Sequence, residues 1–176
     1  ATSINRRLSA LRSFYRFALI RKFIELDPAH AVKGPKKSKP LPQFLRDNEM
    51  DELIDGDVVC GDSFKDVRAR TILTLFYESG MRLSELVGLD DTDVDFLNRQ
   101  LKVTGKRNKQ RVIPFGEELE ETLRTYISTR DENVFRKDTA LFVTEKGKRM
   151  NADQVRYQVK KNVSKVSTLK KRTPHV

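Results

Sequence analysis

At 176 residues the chain has room for one ordinary domain plus a short extra segment, and it can bury a real core. Its 35 Lys+Arg against 25 Asp+Glu give a formal charge of +10 and a pI near 9.8, which favours a polyanionic partner; no apolar run approaches the ~20 residues of a spanning helix and no signal segment opens the sequence, so nucleic acid fits better than a membrane. The single cysteine, Cys60, excludes an internal disulfide, no Cys/His cluster has metal-ligand spacing, and a reducing cytoplasm suits such a chain.

The first segment, SINRRLSALRSFYRFALIRKF, places Ile4, Leu8, Leu11, Tyr15, Ala18 and Leu19 on one helical face, with Ser3 as a plausible cap. Arg6, Arg7, Arg12, Arg16, Arg21 and Lys22 make its other faces basic, either as a solvated surface or as a phosphate contact. From Asp27 the pattern collapses into DPAHAVKGPKKSKPLPQFL. Its prolines remove donors and hold their predecessors extended, so residues 27–43 read as a linker carrying Lys33, Lys36, Lys37 and Lys39. The lone helix ahead of it has to pack on something else to bury its stripe.

RDNEMDELID predicts a short helix with Asp47 or Asn48 near its start. A long helix follows from about Lys65 to Ser79, stopped by Gly80, and a short one begins at Arg82. VDF, RQLKVTG and QRVIPF then read as a three-strand antiparallel meander with bends at Leu97-Asn98 and at Lys106 to Lys109. Glu117 to Ile127 and Ala152 to Val166 carry helical spacing, with ALFVT as a short extended piece between them. The expected fold is mainly α with a small three-stranded antiparallel sheet.

Two places carry candidate chemistry. Arg82 stands at a helix start, the wrong end for a cation unless an anion is near. Glu85, three residues on, shares its face. The pair is either a surface ion pair contributing ~0.3 to 0.5 kcal/mol or a carboxylate orienting a guanidinium fork toward phosphate oxygens. The hairpin contributes Arg99, Lys102, Lys106, Arg107, Lys109 and Arg111 with no acid between them, a self-repulsion that a phosphate backbone would relieve. Gly105 is expected to adopt a backbone conformation that other residues resist and to leave Lys106 at a strand end, away from the tip.

YESGMRLSELVGL, TGKRNKQRVIPF and TPHV, in this order, resemble the tyrosine recombinases, closest to the Xer-type and integron-type integrases. That family shows a G-[LM]-R-x-S-E-L box, a G-K-x-x-K-x-R hairpin and an [ST]-P-H-x-L-R-H box. The resemblance spans nearly the whole chain. It implies residues 1–26 as the last helix of a core-binding domain, 27–43 as the linker, and 44–176 as a catalytic domain lacking its C-terminal part. It further implies Arg82 on the scissile phosphate with Glu85 in support, Lys106 as the group that protonates the leaving 5′ oxygen, and His175 as the histidine of the H-x-x-R box. Arg7, Arg12, Arg16, Lys36, Lys37, Arg107, Lys109 and Arg111 are the expected DNA contacts. No metal is implied, because fixed cations would meet the charge on the phosphorane-like transition state, and no ATP, because a 3′-phosphotyrosyl link would store the bond energy. The partner is double-stranded DNA, bound by a tetramer of the parent on paired sites. None of Tyr15, Tyr77, Tyr126 or Tyr157 matches the family's nucleophile, so the chain reads as an inactive fragment; the family's protomers exchange a C-terminal helix that this sequence does not include, so a monomer is expected.

Overall fold

The computed structural model describes residues 2–36, 45–54 and 61–167. His175, Lys37, Lys39 and Cys60 lie outside the described residues. The chain divides into two compact units, Ala1–Pro42 and Gln43–Val176.

The first unit is α1 (Thr2–Ile20) and a returning segment without regular structure. Ser3 lies inside the helix, one residue past its start, so it is not the cap that the sequence suggested. Of the apolar stripe only Leu8 and Ala18 are buried; Ile4, Leu11 and Leu19 are exposed, as are Phe14, Phe17 and Ile20 off the stripe. One strand of irregular chain cannot cover a whole helix face. What holds the return is polar: Asn5 donates to the Pro35 carbonyl at 2.9 Å, and Arg12 donates to those of Val32 at 2.5 Å and Ala29 at 3.4 Å.

The second unit contains α2 (Asp47–Ile54), α3 (Phe64–Ser79), α4 (Leu83–Val87), β1 (Val94–Asp95), β2 (Gln100–Thr104), β3 (Gln110–Pro114), α5 (Glu117–Asn133) and α6 (Ala152–Val166). The mainly helical fold with a three-strand sheet is as the sequence predicts. Helix α3 is started by Ser63, whose hydroxyl accepts from the Asp66 N–H at 3.3 Å. It ends where Gly80, at φ 56°, enters the left-handed region and returns its N–H to the Phe76 carbonyl at 3.1 Å. Its buried residues, among them Ile72 and Leu75, meet Leu119, Leu123 and Tyr126 of α5 and Val155, Val159 and Val163 of α6 in one core. The meander runs β1-β2-β3, antiparallel throughout, with Leu101 opposite Ile113 and Val103 opposite Arg111. Leu101 and Val103 turn one face of β2 into the core while Lys102 and Thr104 face solvent.

Three local expectations change. Helix α5 continues to Asn133, beyond Ile127, because Arg130 is buried on its final turn. ALFVT is buried yet joins no ladder; it makes single bridges from Ala140 to Asp90 and from Val143 to Arg149. Gly105 has an ordinary extended φ of −101°, and the left-handed residues of the turn are Arg107 and Asn108.

Tyr126 is stacked between Phe64 and Phe142, donates to the Leu141 carbonyl at 3.0 Å and accepts from the Val143 N–H at 3.4 Å. Burial pushes its pKa from 10.0 up to about 12. A raised folded-state pKa means the folded chain holds the proton more tightly than the unfolded one. The stability this contributes is complete below pH 10 and is lost as pH rises toward 12. In a spectrophotometric titration one of the chain's four tyrosines should ionise late, and Tyr126→Phe should remove that step.

Candidate active site and nucleic-acid interface

The site assembles around a buried carboxylate. Helix α4 is a single short turn anchored by Leu83 and Leu86 in the core, and this packing draws Glu85 inside to 2 % exposure. Glu85 Oε2 accepts from the Arg82 backbone N–H at 2.8 Å, the half of a capping box in which the third helical residue reaches back to the cap. Glu85 Oε1 accepts from Arg82 Nη1 at 3.1 Å, and Oε2 also accepts from Arg111 Nη2 at 2.9 Å. Burial alone pushes the carboxyl pKa up. The Arg82 N–H and guanidinium, with Arg111, outweigh it and hold the carboxyl below its usual value. Its ionised form therefore stabilises the fold above the ordinary carboxylate range, and that contribution is lost as pH falls through the lowered pKa.

Arg82 is the reverse of its partner. Its side chain is 69 % exposed, held on one edge by Glu85 with the rest of the fork facing solvent. The sequence left open a surface ion pair or an orienting one; a partner with 1 % side-chain exposure is no surface group.

The basic hairpin starts beside this carboxylate. A Cβ built on Gly105 would stand 3.1 Å from Glu85 Oε1, so close approach and not an unusual φ is what the glycine permits. The Gly105 N–H donates to the Lys109 carbonyl at 2.8 Å, and between them Lys106 opens a tight turn with Arg107 and Asn108 left-handed. Lys106 is thus at the mouth of the turn, exposed, directly after the residue packed on Glu85.

Acids from elsewhere in the fold neutralise two of the hairpin's six cations, because Arg99 pairs with Glu117 at 3.1 Å and Glu120 at 2.8 Å while Arg111 pairs with Glu85. Lys102, Lys106, Arg107 and Lys109 are exposed without an ion pair. Tertiary contacts thus concentrate the free charge around the turn. In the first unit Arg7, Arg12, Arg16 and Lys36 are exposed, and Arg12 also donates to carbonyls of the return.

Sequence reasoning did not find that Arg111 belongs with Glu85. The signal was present: in QRVIPF, Arg111 and Ile113 share the strand parity that faces Val103 and Leu101. Among the described residues no group of His, Cys, Asp and Glu is placed to hold a metal ion, and no helix is long and apolar enough to cross a membrane.

A helical domain that presents an arginine on a buried glutamate beside a basic β-hairpin belongs to a defined class. Residues 43–176 match the Phage integrase family, and the chain belongs to that family. It is similar to tyrosine recombinase XerC of Chlorobaculum tepidum, 36 % identical over 99 % of this chain and 58 % of that protein. It is likewise similar to tyrosine recombinase XerD of Staphylococcus saprophyticus, 35 % identical over 99 % of this chain and 59 % of that protein. The chain spans somewhat under three fifths of the length of these curated relatives. Among solved structures, its fold is shared with the Tn1549 transposon integrase in complex with transposon right end DNA (TM-score 0.75, 22 % identity, 99 % of this chain and 63 % of that one). It is also shared with the XerA recombinase (TM-score 0.65, 24 % identity, 96 % and 55 %).

Proposed function

We propose that the parent of this chain is a site-specific recombinase that cuts and rejoins double-stranded DNA through a 3′-phosphotyrosyl intermediate. One observation carries the reading: an exposed guanidinium held by a buried carboxylate, immediately beside the hairpin that bears Lys106. In the attack, a tyrosine oxygen outside this chain bonds to phosphorus as the bond to the 5′ oxygen breaks. The phenolic proton leaves to a base, and Lys106 gives a proton to the departing oxygen. Arg82 holds the scissile phosphate and meets the charge that grows on its oxygens; Glu85 supports Arg82; His175 is the histidine of the H-x-x-R box. The phosphotyrosyl ester conserves the energy of the broken bond, so rejoining needs no cofactor.

Within this reading residues 1–26 are the last helix of a core-binding domain, 27–43 the linker and 44–176 the catalytic domain. Arg7, Arg16, Lys36, Lys37, Arg107 and Lys109 contact the phosphate backbone. The parent works in the cytoplasm as a tetramer on paired sites. Tyr126, buried and with its pKa near 12, has neither the access nor the acidity of a nucleophile.

The test is a nicked suicide DNA carrying a recombination site, incubated with the full-length parent and analysed by denaturing electrophoresis. A protein–DNA adduct that resists denaturation and maps to a tyrosine is the expected result. Binding without adduct on every site tried would make the parent a non-catalytic DNA-binding protein.

A further inference from the structure

Arg111, counted from sequence among the DNA contacts, is half exposed, and one edge of its guanidinium is engaged by the buried Glu85. Nη2 donates to Glu85 Oε2 at 2.9 Å, on the carboxylate that also takes the Arg82 backbone N–H at 2.8 Å and Arg82 Nη1 at 3.1 Å. The strand that bears it fixes the hairpin: Val103 stands opposite Arg111 and Thr104 opposite Gln110, so anchoring Arg111 anchors both strand ends that lead into the turn. The remaining contact is Gly105, whose position beside Glu85 Oε1 leaves no room for a side chain without displacement.

We infer that Arg111, with Gly105, is a positioning element for catalysis: through Glu85 it fixes the Lys106 hairpin against Arg82, so that the phosphate-binding and proton-donating groups share one frame. The inference rests on the reading of Lys106 as the proton donor. Arg111 touches neither phosphate nor leaving oxygen in this scheme. A short, exposed turn bearing three unneutralised cations, Lys106, Arg107 and Lys109, would otherwise be free to follow the DNA backbone, and a donor misplaced by an ångström forfeits most of its effect.

A leaving-group experiment separates positioning from binding. The full-length parent is assayed at saturating DNA on two suicide substrates, one normal and one with sulfur in place of the bridging 5′ oxygen at the scissile phosphate. A thiol, with a pKa of about 8.5, departs as thiolate without a proton donor, whereas the alkoxide needs one. Lys106→Ala should be slow on oxygen and restored on sulfur. Arg111→Met should lose roughly 10- to 100-fold on oxygen and recover to within about threefold of the unsubstituted parent on sulfur. Gly105→Ala, which removes no charge, should show the same selectivity with a smaller loss, and Arg111→Lys should be intermediate.

Equal slowing of Arg111→Met and Gly105→Ala on both substrates, with Lys106→Ala still restored by sulfur, would overturn the inference and leave the proposed function standing. So would Arg111→Met cleaving the oxygen substrate at the unsubstituted rate at saturation, with only its affinity for DNA reduced. If Lys106→Ala is itself not restored, the proton-donor reading fails and the positioning role fails with it.

Discussion

Replacing Arg82 by alanine in the full-length parent is expected to slow covalent adduct formation by about 10²–10³-fold or more, the loss typical of a fixed donor to an oxyanion. The fold should not suffer. The side chain is 69 % exposed, and after its removal Glu85 still accepts from the backbone N–H of residue 82 and from Arg111. Rate and stability therefore come apart at this position, which is the mark of a group that acts on substrate. Arg82→Lys should restore little, because an ammonium cannot offer a second planar donor to the phosphate while one edge is engaged by Glu85. Single-turnover cleavage of a suicide substrate, with thermal melting of the same preparations, decides it. An Arg82→Ala parent that cleaves at the unsubstituted rate would remove Arg82 from the mechanism.

The opposite separation is expected at Arg130, where stability should fall by about 3 kcal/mol or more on replacement by methionine. Its guanidinium is 1 % exposed and fully engaged: to Asp91 Oδ1 at 2.7 Å, to Asp91 Oδ2 at 3.3 Å, to the Leu141 carbonyl at 2.9 Å and to Asp131 Oδ1 at 2.9 Å. It ties the end of α5 both to the segment after α4 and to the buried ALFVT stretch. Methionine fills much of the volume and none of the hydrogen bonds. The carboxylate of Asp91, left behind, keeps Arg136 as a partner, and this holds the cost toward the lower end of the range for a broken buried pair. Urea titration of the chain measures it, with Arg156→Ala as the comparison. That residue's pair with Asp153 is exposed, and its loss should cost no more than about 0.5 kcal/mol. A loss at Arg130 no larger than at Arg156 would contradict the accounting.

Period and punctuation made most of the fold legible. Helix α3 was delimited by its apolar spacing and by Gly80, α6 was placed at Ala152–Val166 by its valines, and the meander by three short β-rich runs between turn signals. These are properties of neighbours in sequence, and local chemistry decides them. The family was legible too, because the G-M-R-L-S-E-L and G-K-R-N-K-Q-R runs combine residue types that few other constraints would place in that order. Where the reading of residues slipped, the missing information was a distant contact. Arg130 is bonded to Asp91 and the Leu141 carbonyl, 39 and 11 residues away, and Gly105 suggested an unusual φ where its actual constraint is the Glu85 carboxylate against it.

The sequence by itself therefore determined the positions of Arg82, Glu85 and Lys106, the net charge of +10 that suits a phosphate backbone, and the helices and strands that carry them. Only the tertiary structure decided which charges are free. Burying Glu85 in low dielectric made it a demanding acceptor, and it engages one edge of Arg111 from a strand 26 residues away while leaving most of the Arg82 fork in solvent. Acids on α5 likewise absorbed Arg99, which left Lys102, Lys106, Arg107 and Lys109 as the unpaired cations of the hairpin. Charge is a property of composition, but its availability depends on what the fold sets within a few ångströms of it.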